Sequence, residues 1–182
     1  MLRGNLGRSI IKVSALDAAH LVIDAPAIVF DSQEGVLEAF KVGALERDFV
    51  CVVRFQGPRA NGMPELHQLT PVLGSLLARG FKVALVTDGR MSGASGAVPA
   101  ALHLSPEAAR GGPLSRLRTG DRIRLDAVAR TLEAKVEATE FAAREAAPHA
   151  GGPVFGAGRE LFTTLRDAVG EAESGARALT GT

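Results

Sequence analysis

Cysteine is nearly missing from this 182-residue chain: Cys51 is the only one. One cysteine forms no intramolecular disulfide and builds no cysteine-only metal cage within the chain. Tryptophan and tyrosine are absent and phenylalanine is scarce. Single-stranded nucleic-acid binding needs aromatic stacking platforms, so that class is disfavoured. Charge of one sign is lacking too: the net charge of +1 argues against a nucleic-acid partner or a membrane surface. No apolar run approaches the roughly 18 residues of a membrane span. The start, Met1 to Leu16, is basic but has no sustained apolar stretch of signal-peptide type, so a cytoplasmic location is expected.

What remains is an ordinary globular composition, with 46% hydrophobic and 23% charged residues. Length and composition suit a single domain over residues 1–182 with its own core. Ile10 to Leu16 and Leu21 to Phe30 read as strands, the second interrupted by Pro26. Ser32 reads as the N-cap of a helix that ends at Gly43. Phe49 to Phe55 is an unbroken apolar strand, in which Cys51 reads as a small core filler. Arg59 to Pro64 has the composition of a turn, and Leu66 to Ala78 has helical spacing. Phe81 to Thr87 is the next strand. Beyond it, Ser105-Pro106-Glu107 predicts a short helix with proline in its first turn, and Arg122 to Asp126 predicts a strand paired with Thr131 to Val136. Helices are expected at Glu137 to Ala147 and Arg159 to Val169, and a fraying tail from Glu171.

The most informative segment is Lys82 to Gly96. A strand-type run ends in Asp88-Gly89 and is followed by a loop holding Ser92, Gly93, Ser95 and Gly96. Strand tips followed by glycine-rich turns are where α/β proteins place ligands. If the strands ending at Phe55 and Thr87 are parallel, the loops Gly57 to Glu65 and Asp88 to Gly96 emerge on the same edge and can share a site. Ser92 is a candidate nucleophile or base, or a loop serine that bonds local backbone. The Gly-x-Ser-x-Gly pattern of a hydrolase elbow is missing. Asp88 is a candidate metal ligand, or a turn former. Glu65, the sole carboxylate between Asp48 and Asp88, is a candidate hard-cation ligand, or a first-turn helix residue facing the dipole. Arg54, Arg59 and Arg90 gather at the two strand ends, where they could clamp a phosphate or carboxylate, or stand solvated. His67 and His103 have no partner at metal-ligand spacing.

Four blocks carry a wider signature: Gly4-Asn5-Leu6-Gly7, Arg54 to His67 (Arg-Phe-Gln-Gly-Pro-Arg-Ala-Asn-Gly-Met-Pro-Glu-Leu-His), Thr87 to Gly96 (Thr-Asp-Gly-Arg-Met-Ser-Gly-Ala-Ser-Gly) and Ser105-Pro106-Glu107-Ala108-Ala109. They resemble the C-terminal domain of the dihydroxyacid dehydratase and phosphogluconate dehydratase family, from Leu2 to about Ala176. The Arg54 to His67 block and Gly158 to Phe162 are similar to the phosphogluconate branch.

The resemblance implies a mixed α/β fold: a strand-rich, swivelling β/β/α, barrel-like C-terminal domain. It implies a hydro-lyase that turns a 2,3-dihydroxy acid into a 2-keto-3-deoxy acid, here 6-phosphogluconate in the Entner-Doudoroff pathway. It implies Ser92 as the base at C2 and Glu65 as a ligand of Mg²⁺. Arg54, Arg59, Asp88, Arg90 and Gly93 are the expected substrate contacts. An iron–sulfur cluster is implied as the acceptor of the leaving hydroxyl. Its cysteine ligands belong to an N-terminal domain outside these residues, and Cys51 matches none of them. The implied partners are a sugar-acid phosphate, that N-terminal dehydratase domain, and a second copy in a homodimer. Two other readings stay open: a domain of a dihydroxyacid or other sugar-acid dehydratase, and a non-catalytic remnant that serves binding or assembly.

Overall fold

A computed structural model describes residues 1–91, 96–149, 156 and 160–179. Eight strands close into a barrel: β1 (Leu2–Gly4), β2 (Gly7–Ile10), β3 (Val22–Phe30), β4 (Phe49–Val53), β5 (Val83–Thr87), β6 (Ala100–Ser105), β7 (Arg122–Asp126) and β8 (Thr131–Ala134). Their order around the barrel is β1-β2-β6-β5-β4-β3-β7-β8. Strands β3, β4, β5 and β6 run parallel; β7 and β2 join them antiparallel. The helices are α1 (Gln33–Lys41), α2 (Pro58–Asn61), α3 (Leu69–Ala78), α4 (Ala138–Ala143) and α5 (Thr163–Ala168). No helix among the described residues is long and apolar enough to cross a membrane.

The unbroken apolar runs of β4 and β5 are explained by burial on both faces. Successive side chains of a strand point to opposite sides. Val50, Val52, Ala84 and Val86 pack inside the barrel with Ile23, Leu104 and Leu125. Phe49, Cys51, Val53, Val83 and Leu85 face outward into a second core with Val36 of α1 and Leu69, Leu73 and Leu76 of α3. Cys51 is fully buried, and desolvation pushes its thiol pKa well up, so it is the core filler that its strand context predicts. Ser32 caps α1 through Gly35 N, and Gly43 follows the helix at φ +73°.

Several elements depart from the sequence expectation. The strand expected at Ile10 to Leu16 lies earlier, at β2, where its partners on β1 and β6 are. Pro26 sits inside β3, because there the strand passes from its β7 partners (Val22 to Pro26) to its β4 partners (Ala27 to Phe30). The turn expected at Arg59 to Pro64 begins as the helical turn α2, with Pro58 in its first turn and Gly62 in the left-handed region. Pro106 lies outside the 3-10 turn Ala108–Arg110, whose N-cap is Glu107. Helix α4 stops at Ala143, where Arg144 turns extended and pairs with Asp121 at 2.6 Å. The tail does not fray through Ser174: Glu171 pairs with Arg110 and Glu173 with Arg8. Strands β1 and β6 have no counterpart in the sequence reading. The barrel closes where β1 meets β8 at the single pair Arg3↔Thr131, and the Asn5 side-chain amide extends that ladder by bonding both N and O of Ala134 at 2.8 Å.

Candidate active-site edge of the barrel

Strands β4 and β5 are parallel neighbours in register through Val53↔Thr87, so the loops after them leave the same barrel edge. The two loops are then joined by backbone. Glu65 and Arg90 form a parallel bridge, in which Leu66 N donates to Arg90 O at 3.0 Å. Arg90 Nε donates to Met63 O at 2.8 Å, and its guanidinium lies 3.8 Å from the Glu65 carboxylate. The expected metal-side glutamate is thereby held against Arg90, two positions before Ser92 in the sequence. Met91 is buried. Ser92 and Gly93 lie outside the described residues.

Asp88 is fully buried beneath this edge. Its carboxylate accepts from Phe55 N (3.2 Å), Gln56 N (2.8 Å) and Ala108 N (2.9 Å), tying three segments together. Burial raises its pKa to about 6; the backbone donors oppose that rise and nearby Glu107 adds to it. The two loops approach closely at Gly89, where an added Cβ would stand 2.6 Å from Gln56 Cβ. Glycine is required there for proximity.

Glu107 does the same work for α2. It is buried and accepts from Arg59 N at 3.0 Å and Ala60 N at 3.2 Å, filling two of the donors that a helix start leaves open. Burial raises its pKa, against the pull of those donors. A Cβ on Gly57 would stand 2.2 Å from Glu107 Oε2. Asp88 and Glu107 therefore fix the loops that carry the candidate chemistry. The sequence reading assigned no role to Glu107; an acid just after Ser105-Pro106, at the end of an unassigned strand, was its one sequence signal.

Above the loops is a cavity of about 280 Å³ lined in part by Asp31, Glu34, Gln56, Asn61, Glu65 and His149. Gln56 ties its lining together: Nε2 donates to Asp31 O at 2.8 Å, and Oε1 accepts from Asn61 Nδ2 at 3.0 Å. His149 stacks on Phe55 with ring centroids 4.9 Å apart. Asp31, Glu34, Gln56, Asn61 and His149 are further site residues that sequence reasoning did not single out.

The arginines divide. Arg90 is at the bridge. Arg54 is largely buried, with Nε on Asp31 (2.5 Å) and one terminal nitrogen on the carbonyls of Ser115 (3.3 Å) and Leu117 (3.4 Å). Arg59 points elsewhere, towards Asp167 of α5 at 3.9 Å, and does not line the cavity. His67 is exposed beside Glu65 O, and the imidazole of His103 is lowered in pKa by burial and by Arg90.

Among the described residues no group of three or more His, Cys, Asp or Glu side chains is arranged to hold a metal ion. Glu65 offers one half-exposed oxygen donor of the hard type that Mg²⁺ prefers, so a cation there takes its other ligands from elsewhere. Cys51, alone and sealed in the core, does not fit an iron–sulfur cluster.

Residues 1–176 match the family model "Dihydroxy-acid/6-phosphogluconate dehydratase C-terminal". The chain is 58% identical over 180 residues to phosphogluconate dehydratase of Pseudomonas aeruginosa, covering 99% of this chain and 30% of that protein. It is 54% identical over 181 residues to phosphogluconate dehydratase of Escherichia coli K12, covering 99% and 30%. Dihydroxy-acid dehydratase of Nitratidesulfovibrio vulgaris is 42% identical over 151 residues, covering 81% and 27%. The chain spans about 30% of the length of the phosphogluconate dehydratases it matches. With a closed strand-rich barrel bearing the Met-Pro-Glu loop beside the Asp-Gly-Arg loop, this chain belongs to the dihydroxy-acid/6-phosphogluconate dehydratase C-terminal family.

Proposed function

We propose that this chain supplies the proton-abstracting half of a 6-phosphogluconate dehydratase. In the reaction, the C2–H proton passes to Ser92, hydroxide leaves C3, and the resulting enol tautomerises to the 2-keto-3-deoxy acid, with one water released. Glu65 would hold the divalent cation, Mg²⁺, which when bound steadies the substrate carboxylate and favours ionisation of a nearby hydroxyl. Arg90 positions Glu65 through the backbone bridge and its contact to Met63 O. Asp88 and Glu107 hold the two loops from below. An iron–sulfur cluster, where the complete enzyme holds one, would supply a Lewis acid for the leaving hydroxyl and would take its ligands from outside this chain, whose one cysteine is buried.

The observation that carries this reading is the Glu65–Arg90 bridge: it joins the carboxylate loop to the serine loop at the edge of two parallel strands. Identity above 50% to proteins named phosphogluconate dehydratase supports the substrate over a branched-chain acid. The test is Ser92→Ala in the complete enzyme, with this chain joined to the part that precedes it in its relatives. Turnover of 6-phosphogluconate should fall by at least about a thousandfold with folding intact. Retention of most activity would remove Ser92 from the role of base. The 182-residue chain alone, assayed with 6-phosphogluconate and Mg²⁺, should form no product.

A further inference from the structure

Adjoining the cavity beside Glu65 is a second, open groove of about 530 Å³. The two share Asp31, and Arg54 of the groove directly precedes Phe55 and Gln56 of the cavity. Both therefore lie at the C-terminal ends of β3 and β4. Their linings differ in charge. The cavity presents Asp31, Glu34 and Glu65, whereas the groove presents Arg54, Arg116 and Arg118, with Asp31 and Glu145 as its acids.

The three arginines are not equally committed. Arg116 donates from Nε to Arg144 O (3.1 Å) and from a terminal nitrogen to Gly111 O (3.2 Å), which fixes its stem. Arg54 is fixed by Asp31 and two carbonyls, and its second terminal nitrogen has no hydrogen bond among the described residues. The Arg118 side chain is exposed and has neither ion pair nor hydrogen bond among the described residues, while its backbone N is anchored on Asp121 at 2.8 Å. Thr119, next to it, accepts from Val29 N at 3.0 Å, so its hydroxyl proton remains to donate. Anchored backbone beneath a partnerless guanidinium, beside two held guanidinium groups and a hydroxyl, matches the needs of a doubly charged tetrahedral oxyanion.

We propose that the groove of Arg54, Arg116, Arg118 and Thr119 is the subsite for the terminal phosphate of the substrate. The ligand is a sugar acid phosphorylated at the end remote from its carboxylate. Its carboxylate end lies in the cavity at Glu65, and its phosphate end passes Asp31 into the groove. This rests on the dehydratase reading and assigns its specificity: phosphorylated acids are taken in preference to unphosphorylated ones because of Arg118 and Arg116. Arg59, whose side chain points to Asp167, is outside the subsite.

The test measures binding of 6-phosphogluconate and of gluconate to the complete enzyme by calorimetry, for wild type, Arg118→Met and Arg116→Met/Arg118→Met. Wild type should prefer the phosphorylated acid. Arg118→Met should cut that preference by about tenfold and the double variant by about a hundredfold, as loss of one and two charge-assisted bonds implies. Arg118 is exposed, so that variant should fold normally, and unchanged urea unfolding verifies it. An Arg118→Lys variant should recover part of the preference. If both substrates weaken equally, or neither does, the groove is not a phosphate subsite. Turnover is read separately. A binding preference that depends on Arg118 without dehydration of 6-phosphogluconate keeps the subsite and refutes the proposed reaction. Dehydration with a preference indifferent to Arg118 does the reverse.

Discussion

Replacing Asp88 with alanine tests whether a buried carboxylate organises this barrel edge. The substitution strips the acceptor from the backbone N–H groups of Phe55, Gln56 and Ala108. A buried donor left unpaired costs about 1–3 kcal/mol, so three cost about 3–9 kcal/mol before water or backbone shifts recover some of it. An opposing term exists. The Asp88 pKa is raised from 3.8 to about 6, so near neutral pH the wild type carries an ionised group that burial disfavours. At about 1.4 kcal/mol per pKa unit, removing it returns about 3 kcal/mol at most. With that return taken in full, a net loss of about 0–6 kcal/mol is expected at neutral pH, against the roughly 5–15 kcal/mol that folded domains possess, and the loss is larger at low pH, where the opposing term vanishes.

The pH dependence gives the sharper test. A carboxyl with a raised folded-state pKa contributes stability in full below its unfolded value and loses it as pH rises through the folded value. The Asp88 contribution should therefore be greatest below pH 3.8, decline up to about pH 6, and stay level above. Urea unfolding of wild type and Asp88→Ala across pH 4 to 7.5 reads this directly, with the difference between them shrinking as pH rises. A loss below about 1 kcal/mol at pH 4, or a difference that grows with pH, would refute the reasoning.

Gly57→Ala should destabilise by about 1–3 kcal/mol in thermal or urea unfolding, because its methyl would overlap the Glu107 carboxylate that caps α2. Leu73→Ala, in the core between α3 and the outer face of β4 and β5, should cost about 2–5 kcal/mol in the same assay. Cys51 should resist a disulfide thiol reagent in native buffer and react once denaturant unfolds the chain, since it is buried and its thiol pKa is raised.

The sequence was most legible where one strand or helix explains itself. The two-faced burial of Phe49–Val53 and Val83–Thr87, the Ser32 cap and the pairing of Arg122–Asp126 with Thr131–Ala134 all rest on local pattern. The shared edge was conditional on β4 and β5 being parallel, and the register through Val53↔Thr87 meets that condition. What escaped was decided by distant residues. The helical turn at Pro58–Asn61 is capped by Glu107, far away in sequence, so its own composition reads only as a turn. Leu2–Gly4 and Ala100–Ser105 are short and become strands through their neighbours in the ring. Of the anticipated contacts, Glu65 and Arg90 were brought together, while Asp88 turned inward as support. Arg54 and Arg59 look equivalent in sequence, and only the positions of Asp31 and Asp167 separate them.

The closing seam of the barrel has a kinetic meaning. Arg3 pairs with Thr131, and Asn5 completes the ladder on Ala134, so a segment made early waits for one made more than a hundred residues later. Contacts so remote in sequence carry a high loop-closure cost and slow a chain's search for its native state. Until residues 131–134 emerge from the ribosome, the unclosed ring exposes the strand edges of β1 and β7 to other chains. Substituting Asn5 would slow closure of the seam once those residues have emerged, and its first symptom would be aggregation of newly made chains whose finished fold is sound.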